Sequence, residues 1–177
     1  MIYQEKLFTK EECDIILQLS DTLEFRHGKT RYSKDNMHAD FDEYWVSDNE
    51  NAIWFMDRIK VFAEKELKVK LKKLKSDVAI LKYKEGQGID MHIDYNPKNV
   101  DVRMYTVGVM LNTEWEGGEF FIKDVSNGEE TMLIKEIGNT YIFDAFSPHI
   151  VNKVTKGVRC VLITHILNSE IKKTDLI

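Results

Sequence analysis

Short β-rich runs follow one another through the second half of the chain, each bounded by turn-forming residues. The runs are Val78 to Tyr83, Met91 to Asp94, Met104 to Leu111, Glu119 to Ile122, Met132 to Ile134, Tyr141 to Phe143, Ile150 to Val154 and Val158 to Ile166. Clusters such as Gly86-Gln87-Gly88 and Asn96-Pro97 separate them, because glycine, proline and asparagine suit tight turns. About eight short strands at this spacing predict a β-sandwich or a jelly roll.

Two amphipathic helices are predicted before these strands. Thr9 and Glu12 form a capping-box pattern, followed by apolar residues near helical spacing, so the first helix is predicted from Lys10 to about Leu23. Ser47-Asp48-Asn49-Glu50 repeats the pattern before a second helix that reaches about Leu67. Between the helices the chain is polar and aromatic, with a short strand at Tyr44-Trp45-Val46. The whole pattern predicts a mainly β (α+β) fold with the helices packed on one sheet.

The size of the chain suits one hydrophobic core. It has 177 residues, 43% of them hydrophobic and 31% charged, which is enough for one full core and hardly enough for two. We therefore predict a single domain over residues 1–177. Residues 1–76 would supply helical support and a candidate lid, and residues 77–167 the β core.

Charge and cysteine content exclude several classes of partner and compartment. A net charge of −5 argues against binding to duplex nucleic acid, because neutralising phosphates requires a basic surface. Cys13 and Cys160 are the only cysteines, and the chain has no signal-peptide pattern, so nothing suggests an oxidising compartment. The apolar runs are too short to cross a bilayer. These features predict a soluble, cytoplasmic protein with no membrane partner, and they leave the oligomeric state open.

His92-Ile93-Asp94 is the first sign of chemistry. In an extended strand alternate side chains share a face, so His92 and Asp94 can bind one metal together. His149 is the best candidate for a third ligand. Two imidazoles and one carboxylate on one face of an octahedron are typical of non-haem Fe(II) oxygenases, which leave the other positions open for substrate and O2.

Arg159 follows His149 by ten positions and suits a diacid. Thr155-Lys156-Gly157 is interpreted as a tight turn, so Ile150 to Val154 and Val158 to Ile166 are expected to form an antiparallel hairpin. Arg159 would then lie roughly 13 Å along the sheet from His149. A five-carbon diacid that chelates the metal at one end spans such a gap, and the planar guanidinium holds its far carboxylate bidentately.

Five segments in order resemble the Fe(II)- and 2-oxoglutarate-dependent dioxygenases, and most closely their prolyl 4-hydroxylase-like branch. The segments are Phe8 to Cys13, Ile80 to Gln87 leading into His92-Ile93-Asp94-Tyr95, Leu111-Asn112 with Glu116 to Phe120, Asn139 to Phe143 leading to Pro148-His149, and Gly157-Val158-Arg159. The similarity covers Asp77 to Leu167 well and the start of the chain more loosely. It implies a double-stranded β-helix, which is a jelly roll, with the helices of the first third bracing one sheet.

The resemblance also implies an activity and its cofactors. 2-Oxoglutarate would be decarboxylated to succinate and CO2 while O2 supplies the oxygen that hydroxylates a substrate; ascorbate is a further candidate cofactor. His92, Asp94 and His149 would bind Fe(II), and Arg159 would hold the far carboxylate of 2-oxoglutarate. Tyr83 matches a family tyrosine that hydrogen-bonds this cosubstrate.

Two departures from the family pattern bear on the pocket. Met110 stands where many prolyl hydroxylases have a carboxylate-binding tyrosine, so Arg159 is expected to work with Thr106 or a water. His165 stands where relatives often have tryptophan, on the same strand face as Arg159, so the pocket floor should differ.

Plainer structural roles exist for each of these residues. Arg159 could pair with a surface acid, Tyr83 could be a core residue, and His165 could be a hydrogen-bonded core histidine. Glycines 117 and 118 are expected to serve a turn. His27, His38 and Asp40 are expected in an ordinary solvated loop, and Trp45, Trp54 and Trp115 as packing residues.

Three functions remain open at this point. The first is hydroxylation of a peptide or protein side chain, with proline the first to test and the Arg26 to Tyr44 region, including Arg31 and Tyr32, closing over the peptide. The second is hydroxylation of a small molecule such as a free amino acid. The third is a non-catalytic metal-binding module, which has no need of a diacid clamp. Oxidative demethylation of nucleic acid ranks low, because those relatives carry a second arginine where this chain has His165.

Overall fold

The computed structural model describes residues 2–29, 39–47, 49–72, 74, 78–99 and 101–172, and within them the chain forms thirteen strands and two α-helices. The helices are α1 (Lys10–Gln18) and α2 (Ile53–Leu67). The strands are β1 (Ile2–Lys6), β2 (Arg26–Lys29), β3 (Ala39–Trp45), β4 (Val78–Tyr83), β5 (Gly88–His92), β6 (Arg103–Met110), β7 (Trp115–Gly117), β8 (Phe120–Lys123), β9 (Glu130–Met132), β10 (Asn139–Asp144), β11 (His149–Val151), β12 (Val154–Gly157) and β13 (Arg159–Leu167).

Helix α1 begins at the predicted capping box. The Thr9 hydroxyl accepts the Glu12 backbone N–H at 3.2 Å, and the Glu12 carboxylate accepts the Thr9 N–H at 3.0 Å. These bonds satisfy two of the backbone donors that a helix start leaves without partners. The α-helix ends at Gln18, and a 3-10 turn at Leu19–Thr22 completes the segment that was predicted to be one helix.

Helix α2 begins later than the sequence pattern indicates. The Ser47 hydroxyl accepts the Val78 backbone N–H at 3.1 Å, so it joins the sheet and does not cap the helix. The Asn49 side chain instead accepts the Asn51 N–H at 2.9 Å and caps a 3-10 turn at Glu50–Ala52, which leads into α2. The prediction of a capping box at Ser47 is therefore wrong, because a sheet partner takes its hydroxyl.

Eleven strands form one curled antiparallel sheet, in the order β1-β10-β6-β13-β4-β3-β5-β11-β8-β9, with β2 paired to β3. Side chains on a strand alternate faces, and the sheet uses both. On the outer face Val78, Ile80, Val109 and Leu162 share a core with buried residues of α1 and α2, such as Ile16 and Ile59. The expected jelly roll with N-terminal helices on one sheet is confirmed.

The inner face of the curled sheet carries a second core, and this face positions the site. Its buried members include Tyr83, Phe120, Tyr141, Phe143 and Val161, which come from strands far apart in the chain.

No helix among the described residues is long and apolar enough to span a bilayer.

The predicted hairpin between Ile150 to Val154 and Val158 to Ile166 is wrong. Residues 154–157 are themselves a strand, β12, which pairs with β7 in a separate two-stranded sheet. Strand β13 lies between β4 and β6: residues 159–164 pair with β4 and residues 161–167 pair with β6. A long strand with two neighbours satisfies more backbone groups than a hairpin with one, which explains why the local turn signal does not decide the pairing.

The first third of the chain contributes strands as well as helices. Strand β1 pairs with β10, and β3 pairs with β4 and β5. Only the end of β3 is visible in the sequence pattern, because Asp40, Asp42 and Glu43 make the rest of this strand look like a loop.

Candidate active site

His92 and His149 lie side by side on neighbouring strands. His92 ends β5, His149 begins β11, and the two are directly paired in the antiparallel register, with ring centroids 4.1 Å apart. Asp94 follows just beyond the end of β5. The candidate ligand atoms of these three residues all lie within 4.8 Å of one another, so the three could hold one metal ion.

A loop, and not strand alternation, positions Asp94. The predicted strand Met91 to Asp94 ends at His92, and the backbone N–H groups of Asp94 and Tyr95 both donate to the Ala145 carbonyl at 3.0 Å. These bonds fix the backbone of the loop beside β11. Asp94 still lies with His92 and His149 in one candidate metal cluster, as the sequence predicts.

Both histidine rings are oriented by backbone carbonyls. His92 Nδ1 lies 2.8 Å from the Asp90 carbonyl oxygen, and His149 Nδ1 lies 2.9 Å from that of Ser147. A carbonyl can only accept, so each Nδ1 carries the proton and each Nε2 keeps its lone pair. The Nε2 atoms of His92 and His149 lie 3.7 Å and 3.5 Å from the Asp94 carboxylate, so their lone pairs point into a shared space.

The protonation states also suit a metal. Burial lowers the pKa of His149 to about 4, against the opposing charge of Asp94, so this imidazole is neutral near pH 7. Burial favours the neutral acid at Asp94, but the hydrogen bond with His165 and the histidine charges outweigh it and hold its pKa well below the usual range. A neutral imidazole and an ionised carboxylate are the forms that bind metal.

Thr106 and His165 contact Asp94 and lie away from Arg159. The Thr106 hydroxyl donates to Asp94 Oδ2 at 2.6 Å, and His165 Nε2 lies 3.4 Å from the same oxygen. The two residues are paired across β6 and β13, whereas Arg159 is at the opposite end of β13, paired with Tyr83. The expectation that Thr106 assists Arg159 is therefore not met, because Thr106 lies at the metal end of the pocket.

Arg159 is 1% exposed and is surrounded by aromatic rings. Its guanidinium carbon lies 5.2 Å from the centre of the Tyr83 ring, 5.7 Å from Trp115 and 5.9 Å from Phe120. Within the described part of the chain its Nε and Nη1 have no hydrogen-bond partner. A buried cation with unused donors is costly unless an anion completes it, so this site fits the carboxylate of a diacid.

Tyr141 is a site residue that the sequence reasoning missed. Burial raises the pKa of Tyr141 to about 12, and the positive charge of nearby Arg159 opposes this shift. Gly108 lies opposite Tyr141 on β6, and a Cβ there would be 2.2 Å from the Tyr141 ring. A glycine within an apolar strand was the available signal, since it indicates close approach of a large neighbour. Tyr141 therefore brings a second tyrosine, besides Tyr83, to the Arg159 end of the cavity.

A cavity of about 1110 Å³ is lined by the His92, Asp94 and His149 cluster and by Arg159. The floor of the cavity is formed by alternate residues of β13, which share one face of the strand: Arg159, Val161, Ile163 and His165. One wall comes from β3, through Phe41, Glu43 and Trp45. Phe41 also packs on Tyr83, with ring centroids 5.6 Å apart, so this wall reaches the Arg159 end.

Two residues of the predicted polar loop, His27 and Asp40, lie on the paired strands β2 and β3. His27 on β2 lies 3.2 Å from Asp40 and 3.1 Å from Asp42, both on β3, and the Gln87 amide donates to Asp40 at 2.8 Å. His27 and Asp40 therefore join paired strands, which corrects the loop prediction for these two residues. Arg31, Tyr32 and His38 lie outside the described residues.

The tryptophans and the glycine pair differ in role. Trp54 packs on Phe8 and Phe55, as a packing residue should, whereas Trp45 lines the cavity and Trp115 lies beside Arg159. Gly118 has φ +63°, and a Cβ there would lie 3.3 Å from Arg159 Cδ. Gly118 therefore serves the turn and also leaves room for the arginine.

Fold and site together define a non-haem metal oxygenase scaffold with an anion pocket. The sequence model of the 2OG-Fe(II) oxygenase superfamily matches residues 78–167, which span β4 to β13. The chain belongs to this superfamily. Membership and the His-Asp-His cluster imply Fe(II) and 2-oxoglutarate. Among curated protein sequences, none matches this chain.

Several solved structures share the fold at low sequence identity. A prolyl-4-hydroxylase from Pseudomonas putida is 17% identical, with 93% of this chain and 90% of that chain covered at a TM-score of 0.67. A 2OG-Fe(II) oxygenase family oxidoreductase from Burkholderia pseudomallei is 14% identical, with 93% and 84% covered at 0.72. A prolyl hydroxylase from Trichoplax adhaerens, in complex with a hypoxia inducible factor peptide fragment, is 16% identical, with 93% and 83% covered at 0.69.

Proposed function

We propose that this chain is an Fe(II)- and 2-oxoglutarate-dependent hydroxylase of a peptidyl side chain, with proline the first residue to test. The observation that carries the proposal is the joining of two sites in one cavity. The His92, Asp94 and His149 cluster lines it together with Arg159, a buried cation whose Nε and Nη1 have no hydrogen-bond partner among the described residues. A module that only bound metal would have no use for this second site.

Each residue has a defined task in this proposal. His92, Asp94 and His149 bind Fe(II), and Arg159 holds the far carboxylate of 2-oxoglutarate with help from Tyr83 and Tyr141. When bound, the iron activates O2 with electrons from the decarboxylation of 2-oxoglutarate to succinate and CO2. Arg159 fixes the diacid in one orientation, and the surrounding rings of Tyr83, Trp115 and Phe120 keep water from its charge.

The size and lining of the cavity support a peptide over a small solute. Its volume of about 1110 Å³ lies above the range of about 300 to 1,000 Å³ that is usual for small-molecule pockets, which supports a larger substrate. Exposed Met91 and Ile93 line the cavity beside His92, and apolar groups at an opening suit the side chains that flank a target residue.

The alternative is a small-molecule hydroxylase at the same metal site. Arg26 and Glu43 line the cavity and pair across β2 and β3, so a zwitterionic solute such as a free amino acid could find a partner for each of its charges. Free amino acids are therefore tested as substrates alongside peptides.

The decisive experiment is incubation with Fe(II), 2-oxoglutarate, O2 and a panel of proline-containing peptides and free amino acids, followed by mass spectrometry. We expect a gain of one oxygen on a peptide, with formation of succinate, and no gain with the Arg159→Ala variant. Oxygen gained by a free amino acid and by no peptide would favour the small-molecule reaction. Metal binding without any consumption of 2-oxoglutarate would indicate a non-catalytic module.

A further inference from the structure

One oxygen of Asp94 is contacted by two side chains, one from β6 and one from β13. The Thr106 hydroxyl donates to Oδ2 at 2.6 Å, and His165 Nε2 lies 3.4 Å from it. Thr106 on β6 and His165 on β13 are directly paired, so both reach the carboxylate from neighbouring strands. These contacts therefore connect the loop after β5 to strands β6 and β13.

The side chain of Asp94 needs such support because its own element is irregular. Strand β5 ends at His92, and the loop that follows is held by backbone bonds to the Ala145 carbonyl and by the stacking of Tyr95 on Phe146. A carboxylate rotates easily about its Cβ–Cγ bond, and its rotation decides which oxygen faces each histidine. Oδ1 lies 3.7 Å from His92 Nε2, and Oδ2 lies 3.5 Å from His149 Nε2. Each carboxylate oxygen accepts about two hydrogen bonds, so two donors on Oδ2 fix this rotation.

We propose that Thr106 and His165 are positioning residues that lock the rotation of the Asp94 carboxylate and so preorganise the metal site. This inference rests on the metal centre of the proposed function. In this inference His165 holds the metal ligand Asp94 and does not contact the far carboxylate of 2-oxoglutarate. His165 is not in the set of residues whose ligand atoms lie within 4.8 Å of one another, so it acts through Asp94 and does not itself join the ligands.

The residue types fit this role. Threonine is branched at Cβ, so its χ1 is restricted, and the 2% exposed Thr106 directs its hydroxyl with little freedom. The His165 side chain is 8% exposed, so its Nε2 contact with Asp94 Oδ2 at 3.4 Å is shielded from solvent. Partners of this kind typically change metal affinity about tenfold to a hundredfold when removed.

Titration of the purified chain with Co(II), followed by its visible absorption without 2-oxoglutarate or substrate, tests the inference independently of turnover. Four variants form two matched pairs. His165→Leu and Thr106→Val remove the donors with little change in size. His165→Gln retains a donor near the position of Nε2, and Thr106→Ser retains the hydroxyl. Thermal unfolding of the metal-free variants checks that each one folds.

We expect His165→Leu and Thr106→Val each to weaken Co(II) binding about tenfold or more and to alter the visible spectrum. His165→Gln and Thr106→Ser should restore most of the affinity. Wild-type Co(II) affinity in both His165→Leu and Thr106→Val would overturn the inference. An equal loss of Co(II) affinity in the two variants of each pair would also overturn it, because packing alone would then explain the loss. If His165→Leu does not fold, the threonine pair decides the outcome. Failure of the wild-type chain to bind Co(II) would instead overturn the metal centre itself.

Discussion

Arg159 and Tyr83 are directly paired across β13 and β4, with the guanidinium carbon 5.2 Å from the centre of the tyrosine ring. Burial raises the pKa of Tyr83, so the phenol is neutral and can donate. A permanent cation and a neutral donor at the same end of the cavity form a receptor for a carboxylate.

Arg159→Ala should raise the concentration of 2-oxoglutarate needed for half-maximal binding while leaving metal binding intact. Loss of a charge-assisted, bidentate contact in a buried site costs on the order of 2 to 5 kcal/mol. Titration with 2-oxoglutarate, in the presence of Co(II), measures the effect. Arg159→Lys is the matched control, because it retains the charge and loses the planar fork, so an intermediate result is expected. A titration curve for Arg159→Ala that matches the wild type would remove Arg159 from the cosubstrate site.

Tyr83→Phe and Tyr141→Phe should each weaken 2-oxoglutarate binding moderately. Each change keeps the ring and removes one hydroxyl, and the loss of one neutral hydrogen bond costs about 0.5 to 1.5 kcal/mol. The same titration compares the two variants. If Tyr141→Phe has the larger effect, the Tyr141 hydroxyl contributes more to cosubstrate binding than the Tyr83 hydroxyl.

His149→Ala should abolish stoichiometric metal binding or weaken it greatly, because it removes one of three ligands from a buried position. Metal content after dialysis against Co(II) provides the measurement. His27→Ala is the control, since this histidine is on β2 and lies beside Asp40 and Asp42. Unchanged metal content in His149→Ala, or an equal loss in His27→Ala, would contradict the assignment.

The metal-free protein should lose unfolding free energy as the pH falls from about 6.5 towards 4. His149 has a pKa of about 4 when folded and an ordinary value of 6.5, so the unfolded chain takes up a proton in this window and the folded chain does not. Stability is therefore highest above pH 6.5, and the loss at pH 5 is on the order of 1 to 2 kcal/mol. Urea unfolding at several pH values, for the wild type and His149→Asn, measures it. A slope that is the same in both proteins would show that other groups cause it.

Trp45→Ala should reduce peptide hydroxylation while peptide-independent decay of 2-oxoglutarate persists. Trp45 lines the cavity from β3 and is not one of the three candidate metal ligands, so its loss should remove substrate contact and spare the cosubstrate. Succinate formation with and without peptide separates the two reactions. Trp54→Ala is the control, because Trp54 packs on Phe8 and Phe55 with the helices. Parallel loss of both reactions in Trp45→Ala would indicate a structural role for this wall.

The sequence by itself determined the local elements and the order of the chemical groups. Val78 to Tyr83 was predicted with the bounds of β4, and α1 begins at its predicted cap, because propensity and capping act over a few residues. His92, Asp94, His149 and Arg159 were nominated from residue type and spacing, and the structure brings all four to one cavity. Tertiary structure alone decided which strands are neighbours: β13 lies between β4 and β6, so the predicted hairpin does not form. It also placed Tyr141 beside Arg159, and it placed Thr106 and His165 on Asp94. These contacts join residues that are far apart in the chain, and they depend on how the two faces of a curled sheet are filled, which no local pattern records.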